Sequence, residues 1–156
     1  MGKIMAVNIS EKKGTQKKNV HSARLMEEFG IEKDAHAGKW HRQVSLLSYE
    51  KIEEFKAKGA PVKGAPIEDG AFGENLIVSG YDLKALPVGT RLRSGEVLLE
   101  VTQIGKKCHS GCEIYKIMGD CIMPREGIFT RVLHGGVLTE GDEIVIEKAA
   151  GEADGE

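Results

Sequence analysis

The chain has no surplus of positive charge: 22 Lys and Arg stand against 24 Asp and Glu, a formal net charge of -2. A general nucleic-acid binder needs the opposite balance, because its affinity comes from displacing counterions from phosphates. No apolar run approaches the roughly 20 residues of a membrane span. The opening MGKIMAVNIS turns polar too soon for a secretory signal, and Ala6 stands where a myristoylation signal requires Ser or Thr. These absences lead to the expectation of a cytoplasmic protein with neither nucleic-acid nor membrane partners. Cysteine is scarce as well. The three that exist cannot all pair, and a reducing compartment leaves thiols free. Also missing are the phosphate-cradling GxxxxGK[ST], any βαβ alternation and any internal repeat, which removes nucleotide hydrolases and Rossmann enzymes. His36 and His41 lack the intervening glutamate of an HExxH zinc helix.

All three cysteines, Cys108, Cys112 and Cys121, fall in one stretch, VTQIGKKCHSGCEIYKIMGDCIMPREGIFTR, from Val101 to Arg131. Lys106 and Lys107 precede the first cysteine and His109 follows it. An apolar run over 97–104 leads in and a second over 128–133 leads out. The segment between has no clean period, and a long connection of that kind in a compact domain is more often a working loop than filler. A cysteine can always be a small buried hydrophobe. Among lysines, glycines and a histidine, however, Cys108 reads as the chemical centre. A second dense stretch, GIEKDAHAGKWHRQ over 30–43, sets Asp34, His36, Arg42 and His41 around the single tryptophan, Trp40. Tryptophan and arginine present flat faces on which a planar heterocycle stacks.

The rest reads as short strands divided by glycine turns. Strands are expected over 3–9, 43–48, 74–80, 90–93, 97–104, 128–133 and 143–147, with turns at Leu86–Gly89, Ser94-Gly95 and Gly135-Gly136. One helix is expected over 49–58, capped by Ser48 and ended by Gly59, with Ile52 and Phe55 inward. The lysine-rich run over 11–19 reads as a solvated loop, or as an electropositive rim for an anion. The run over 21–29 fits a strand or a helical turn equally. In FGENL, Asn75 either bonds a ligand or serves a turn. The fold class is therefore mainly β, a barrel or sandwich carrying a little helix. One domain covers 1–148, and the small acidic tail over 149–156 is expected to be disordered.

Five motifs in order resemble the MOSC domain family, named for its likeness to the C-terminal part of molybdenum cofactor sulfurases. They are GIEKDAHAGKWHRQVSLLS over 30–48, FGENL over 72–76, LPVGTRLRSGEVLLEVTQIGKKCH over 86–109, MPREGIFTRVLHGG over 123–136, and Gly141-Asp142. The resemblance implies a barrel-like β fold and places the family's key cysteine on Cys108, which would carry sulfur or ligate the molybdenum of the cofactor. Lys33 and Lys107 depart from the pattern, standing where many members have glycine and proline. The aminotransferase-like domain that binds pyridoxal phosphate in full sulfurases is absent, so sulfur would have to be received from a donor protein and passed to a molybdoenzyme or to cofactor-biosynthesis proteins.

Sulfur transfer needs a thiolate, and cations lower a thiol's pKa; Lys106, Lys107 and His109 are placed in sequence to do so. Molybdopterin offers a planar ring and an anionic phosphate. Asp34, His36, Trp40, His41, Arg42, Asn75, Lys107, His109, Arg125 and Arg131 are the expected cofactor-binding residues, with Trp40 or an arginine on the ring and Arg42, Arg125 or Arg131 on the phosphate. Two related activities follow: a sulfur or cofactor carrier, or a reductase of N-hydroxylated compounds fed by an external electron donor. The chain has no haem, flavin or iron–sulfur motif of its own. Two readings of another class stay open, a structural zinc site on Cys108, His109, Cys112 and Cys121, and a redox disulfide between Cys108 and Cys112.

Overall fold

The computed structural model describes residues 2–12, 15–58, 68–105 and 123–148. Eleven strands are described: β1 (Gly2–Ile9), β2 (Lys18–Asn19), β3 (Ser22–Met26), β4 (Gly30–Ile31), β5 (Val44–Ser48), β6 (Leu76–Ser79), β7 (Arg91–Ser94), β8 (Val97–Ile104), β9 (Ile128–His134), β10 (Gly136–Thr139) and β11 (Glu143–Lys148). Helix α1 (Tyr49–Lys58) follows β5 directly, and single turns of helix lie at Leu83–Ala85 and Met123–Glu126.

Seven strands close a barrel in the order β11-β7-β8-β9-β5-β6-β1, with β1 pairing back to β11. Closure removes the edges that an open sheet of this size would expose. Every neighbouring pair is antiparallel except β5 and β6, which run parallel because α1 and the segment after it carry the chain back. β2 extends β1 beyond the barrel, and β10, β3 and β4 form a small separate sheet. The run over 21–29, undecided in the sequence, is thus largely strand.

Alternation explains the core. In β5, Val44 and Leu46 point into the barrel while Leu47 points outward; in β6, Leu76 and Val78 point in and Ile77 out. The outward set needs cover, and α1 supplies it. Ile52 and Phe55 close over Ala6, Leu47, Phe72, Ile77, Met123 and Phe129, with Phe55 and Phe72 edge to face at 5.1 Å. Ser48 begins the helix by accepting the Lys51 backbone N–H at 3.3 Å. β1 serves both layers by means of a bulge: its register shifts between Ile4 and Ala6, so Ile4 and Val7 face the barrel while Ala6 faces the helix side.

A second bulge positions the site. On β8, Val101 pairs with Thr130 but Gln103 pairs with Phe129, so Thr102 is the extra residue. Its one hydroxyl hydrogen lies between two acceptors, the carbonyls of His41 and Phe129. Periodicity carries no sign of this bulge, because polar Thr102 and Gln103 fit an alternating strand end equally well.

Candidate functional site

The stretch over 32–43 has little regular structure, and three anchors hold it. Ala35 donates its N–H to Ser10 at the end of β1, and Ser10 returns its own N–H to Asp34 Oδ1. Gly38 donates to Phe29. Gly30, at φ +125, lies so close to Gln43 that a Cβ there would stand 2.8 Å from the Gln43 carbonyl oxygen. Gln43 is buried, and its side-chain oxygen accepts the Val132 N–H at 2.8 Å.

Beneath this loop Lys17 and Asp34 form an ion pair at 2.8 Å with both side chains wholly out of solvent. Lys17 Nζ also donates to Ser10 Oγ at 3.0 Å and to His36 Nδ1 at 3.1 Å. An ammonium has no lone pair, so His36 must accept through Nδ1, and the proton of its neutral ring sits on Nε2. Asp34 Oδ2 accepts the His36 N–H at 3.1 Å. The His36 ring is parallel to Trp40, 6° between planes and 6.4 Å between centroids, and the indole N–H donates to the His36 carbonyl at 2.7 Å. Trp40 meets the His41 ring edge to face at 5.8 Å. His41 Nε2–H donates to Gln103 Oε1 at 2.8 Å, and Gln103 Nε2 donates to the Gly105 carbonyl at 2.8 Å. One chain of polar and stacking contacts therefore runs from a buried ion pair to the residue where the cysteine-bearing segment starts.

Arg42 lies over the Trp40 face, its guanidinium carbon 4.6 Å from the ring centroid and 5.6 Å from that of Phe129. Its Nε is buried and has no hydrogen-bond partner among the described residues. Beside it, Glu28, Lys39, Trp40, His41, Gln43 and Arg131 line a shallow groove of about 350 Å³. Arg131 is held there by carboxylates: Nε and NH2 bond Glu100 Oε1 at 3.0 Å, and NH1 reaches Glu28 at 3.4 Å. Arg91 binds the other oxygen of Glu100 at 3.3 Å.

The structure thus brings together Asp34, His36, Trp40, His41 and Arg42, with Arg131 across the groove. It sets Asn75 apart. That amide is fully buried, accepts the backbone and hydroxyl hydrogens of Ser45, and donates to the Asn8 carbonyl, so it ties β1 to β5 and lines neither the groove nor the cleft described below. Cys108, Lys107 and His109 lie outside the described residues, as do Cys112, Cys121 and the tail over 149–156; of Arg125 only the backbone is described. The zinc and disulfide alternatives fall on the same undescribed segment. Among the described residues no three His, Cys, Asp or Glu side chains gather as a metal site, and no helix is long and apolar enough to cross a membrane.

Three residues of this constellation escaped the sequence reading: Lys17, Gln103 and Lys39. Lys17 belongs to a run expected to be solvated, and nothing in KKGTQKK marks which lysine turns inward. Its backbone packs tightly on Gly70, where φ is +86 and a Cβ would stand 2.1 Å from the Lys17 carbonyl oxygen. Next to that contact sits the buried carboxyl of Glu74. It accepts the N–H groups of Gly70 and Phe72 at 2.9 and 3.0 Å, yet desolvation pushes its pKa up to about 7.

The fold has solved counterparts. The crystal structure of the YuaD protein from Bacillus subtilis superposes with a TM-score of 0.74 at 23% identity, covering 92% of this chain and 94% of that one. YiiM from Geobacillus stearothermophilus gives 0.71 at 21%, with 95% and 76% covered. YiiM from Escherichia coli gives 0.70 at 18%, with 96% and 72% covered. No curated protein matches the chain. At these identities the likeness establishes architecture alone. The family model named MOSC domain matches residues 33–145, a span that takes in Trp40, Arg131 and the cysteine-bearing segment of the sequence: the chain belongs to the MOSC domain family.

Proposed function

We propose that this protein binds the molybdenum cofactor and carries sulfur, or the cofactor itself, through Cys108 during cofactor maturation or delivery. Membership of a family associated with that cofactor and with sulfur chemistry is the starting point. The observation that carries the reading is the junction at Gly105. The Trp40–His41–Gln103 chain ends on that residue's carbonyl, and Gly105 precedes Cys108 by three positions in the sequence, which supports a role for that cysteine at the groove.

The groove residues suit the cofactor. Trp40 lines the groove with the flat Arg42 guanidinium over its ring, and Arg42 offers a buried, unspent N–H there. Lys39 supplies a cation for the phosphate; Arg131 would first have to leave Glu28 or share Glu100. Bound there, the cofactor supplies a sulfur-bearing metal centre to which a thiolate is a well-matched soft ligand. The chain's own part in sulfur carriage is nucleophilic. The Cys108 thiolate attacks the outer sulfur of a donor protein's persulfide, a new S–S bond forms, and the donor leaves as thiolate. Lys106, Lys107 and His109, the sequence neighbours of Cys108, supply the positive charge that favours an ionised thiol.

Native mass spectrometry of the freshly isolated protein tests this directly. A mass increment of one sulfur, or of a bound pterin, is expected on the wild type and should vanish in Cys108→Ala with the fold intact. Retention of full loading by that variant overturns the assignment. Stoichiometric zinc in place of molybdenum on elemental analysis would favour the structural metal site instead.

A further inference from the structure

A second cleft, of about 560 Å³, has in its wall Ser10, which is bonded to both Lys17 and Asp34, and the reading above makes no use of it. Ile9, Ser10, Glu11, Lys12, Thr15, Gln16, Lys18, Val20 and Lys33 line it. Three lysines face one carboxylate, so the cleft carries a net positive charge in a chain whose total is negative. Ile9 and Val20 contribute an apolar wall, and Val20 is 38% exposed.

Lys33 makes the cleft more than a chance gathering of surface lysines. It sits at φ 69, at the third position of a tight turn closed by the Asp34 N–H on the Ile31 carbonyl. Glycine adopts that conformation freely, whereas a side chain there is strained. The strain is held in place because Asp34, the next residue, is fixed by Ser10 and Lys17. The strained cation and those of Lys12 and Lys18 share one cavity, and its wall at Ser10 is braced from behind by the Lys17 ammonium. Backbone strain concentrates where a side chain serves a ligand.

We infer that this cleft is a binding site for a small organic phosphate, the anion held among Lys12, Lys18 and Lys33 and the apolar body resting on Ile9 and Val20. The described lining of this cleft shares no residue with that of the Trp40 groove. Phenyl phosphate, titrated into the full-length protein and followed by calorimetry and amide NMR shifts, is a suitable probe. Saturable binding centred on Ile9, Ser10, Val20 and Lys33 is expected, tighter than that of inorganic phosphate. Lys33→Gly removes the cation and relieves the turn. It should raise the thermal midpoint yet weaken phenyl phosphate about three- to five-fold, the scale of one exposed ion pair. Lys56→Gln, an equal charge change on α1, should leave binding unchanged. Absence of saturable binding, wild-type affinity in Lys33→Gly, or an equal loss in Lys56→Gln would each overturn the inference. None of these outcomes depends on whether Cys108 carries sulfur.

Discussion

Lys17 Nζ stands 2.8 Å from Asp34 Oδ1 with neither side chain touching solvent, and this pair fixes the loop that carries Trp40. Two charges taken from water are tolerated only because each is answered: Lys17 by Asp34, Ser10 and His36, and Asp34 by Lys17 and two backbone N–H groups.

Removing one partner should therefore cost far more than removing both. Lys17→Met leaves a buried carboxylate uncompensated and is expected to destabilise the fold by about 3–5 kcal/mol. Lys17→Met combined with Asp34→Leu should recover a large part of that loss. Urea unfolding of the single and double variants measures the coupling, and simple additivity would mean that the pair is not a unit.

Glu74 gives stability an unusual pH dependence. Its folded pKa of about 7 lies above the ordinary 4.5 because burial opposes the charge, so the folded state holds a proton that the unfolded state has released between those pH values. The contribution is fully present below pH 4.5 and is lost as pH rises to 7, a change of roughly 3 kcal/mol. Glu74→Gln should remove this falling slope and lower stability at acid pH, because an amide N–H₂ would face the N–H of Gly70 or Phe72. Denaturation midpoints across that range, for both proteins, decide it.

Gly70→Ala tests the backbone contact between Gly70 and Lys17. The new methyl would meet the Lys17 carbonyl oxygen at 2.1 Å, and the residue would also sit at φ +86. A loss of at least about 2 kcal/mol is expected, with accelerated amide exchange at Lys17, whose N–H donates to the Gly70 carbonyl.

Arg42→Met should alter the emission of Trp40, which reports alone because the chain has one tryptophan. Loss of the cation over the ring is worth about 1 kcal/mol at most. The variant should stay folded while retaining less cofactor, as measured by bound molybdenum against wild type.

Much of the architecture is legible without coordinates. Helix α1 occupies the residues its cap and apolar spacing indicate, and the alternation in β7 and β8 matches their burial. The clustering of Asp34, His36, Trp40, His41 and Arg42 is legible too, because one short loop carries them all. Asn75 and Lys17 were not. An asparagine after Gly-Glu and a lysine among lysines look the same in sequence whether they face water, a ligand or the interior. Arg131 similarly gives no hint that Glu28 and Glu100, distant along the chain, already claim it.

What the sequence alone determined is local: which runs pair as strands, where the chain turns, and which reactive residues travel together. Those follow from short-range sterics and the period of apolar side chains. The closing of β1 on β11, the bulge that aims Thr102 at His41, and the burial of Lys17 against Asp34 were decided by the tertiary structure. Each depends on the depth of a residue and on partners brought from far along the chain, and only the packed fold sets those two things.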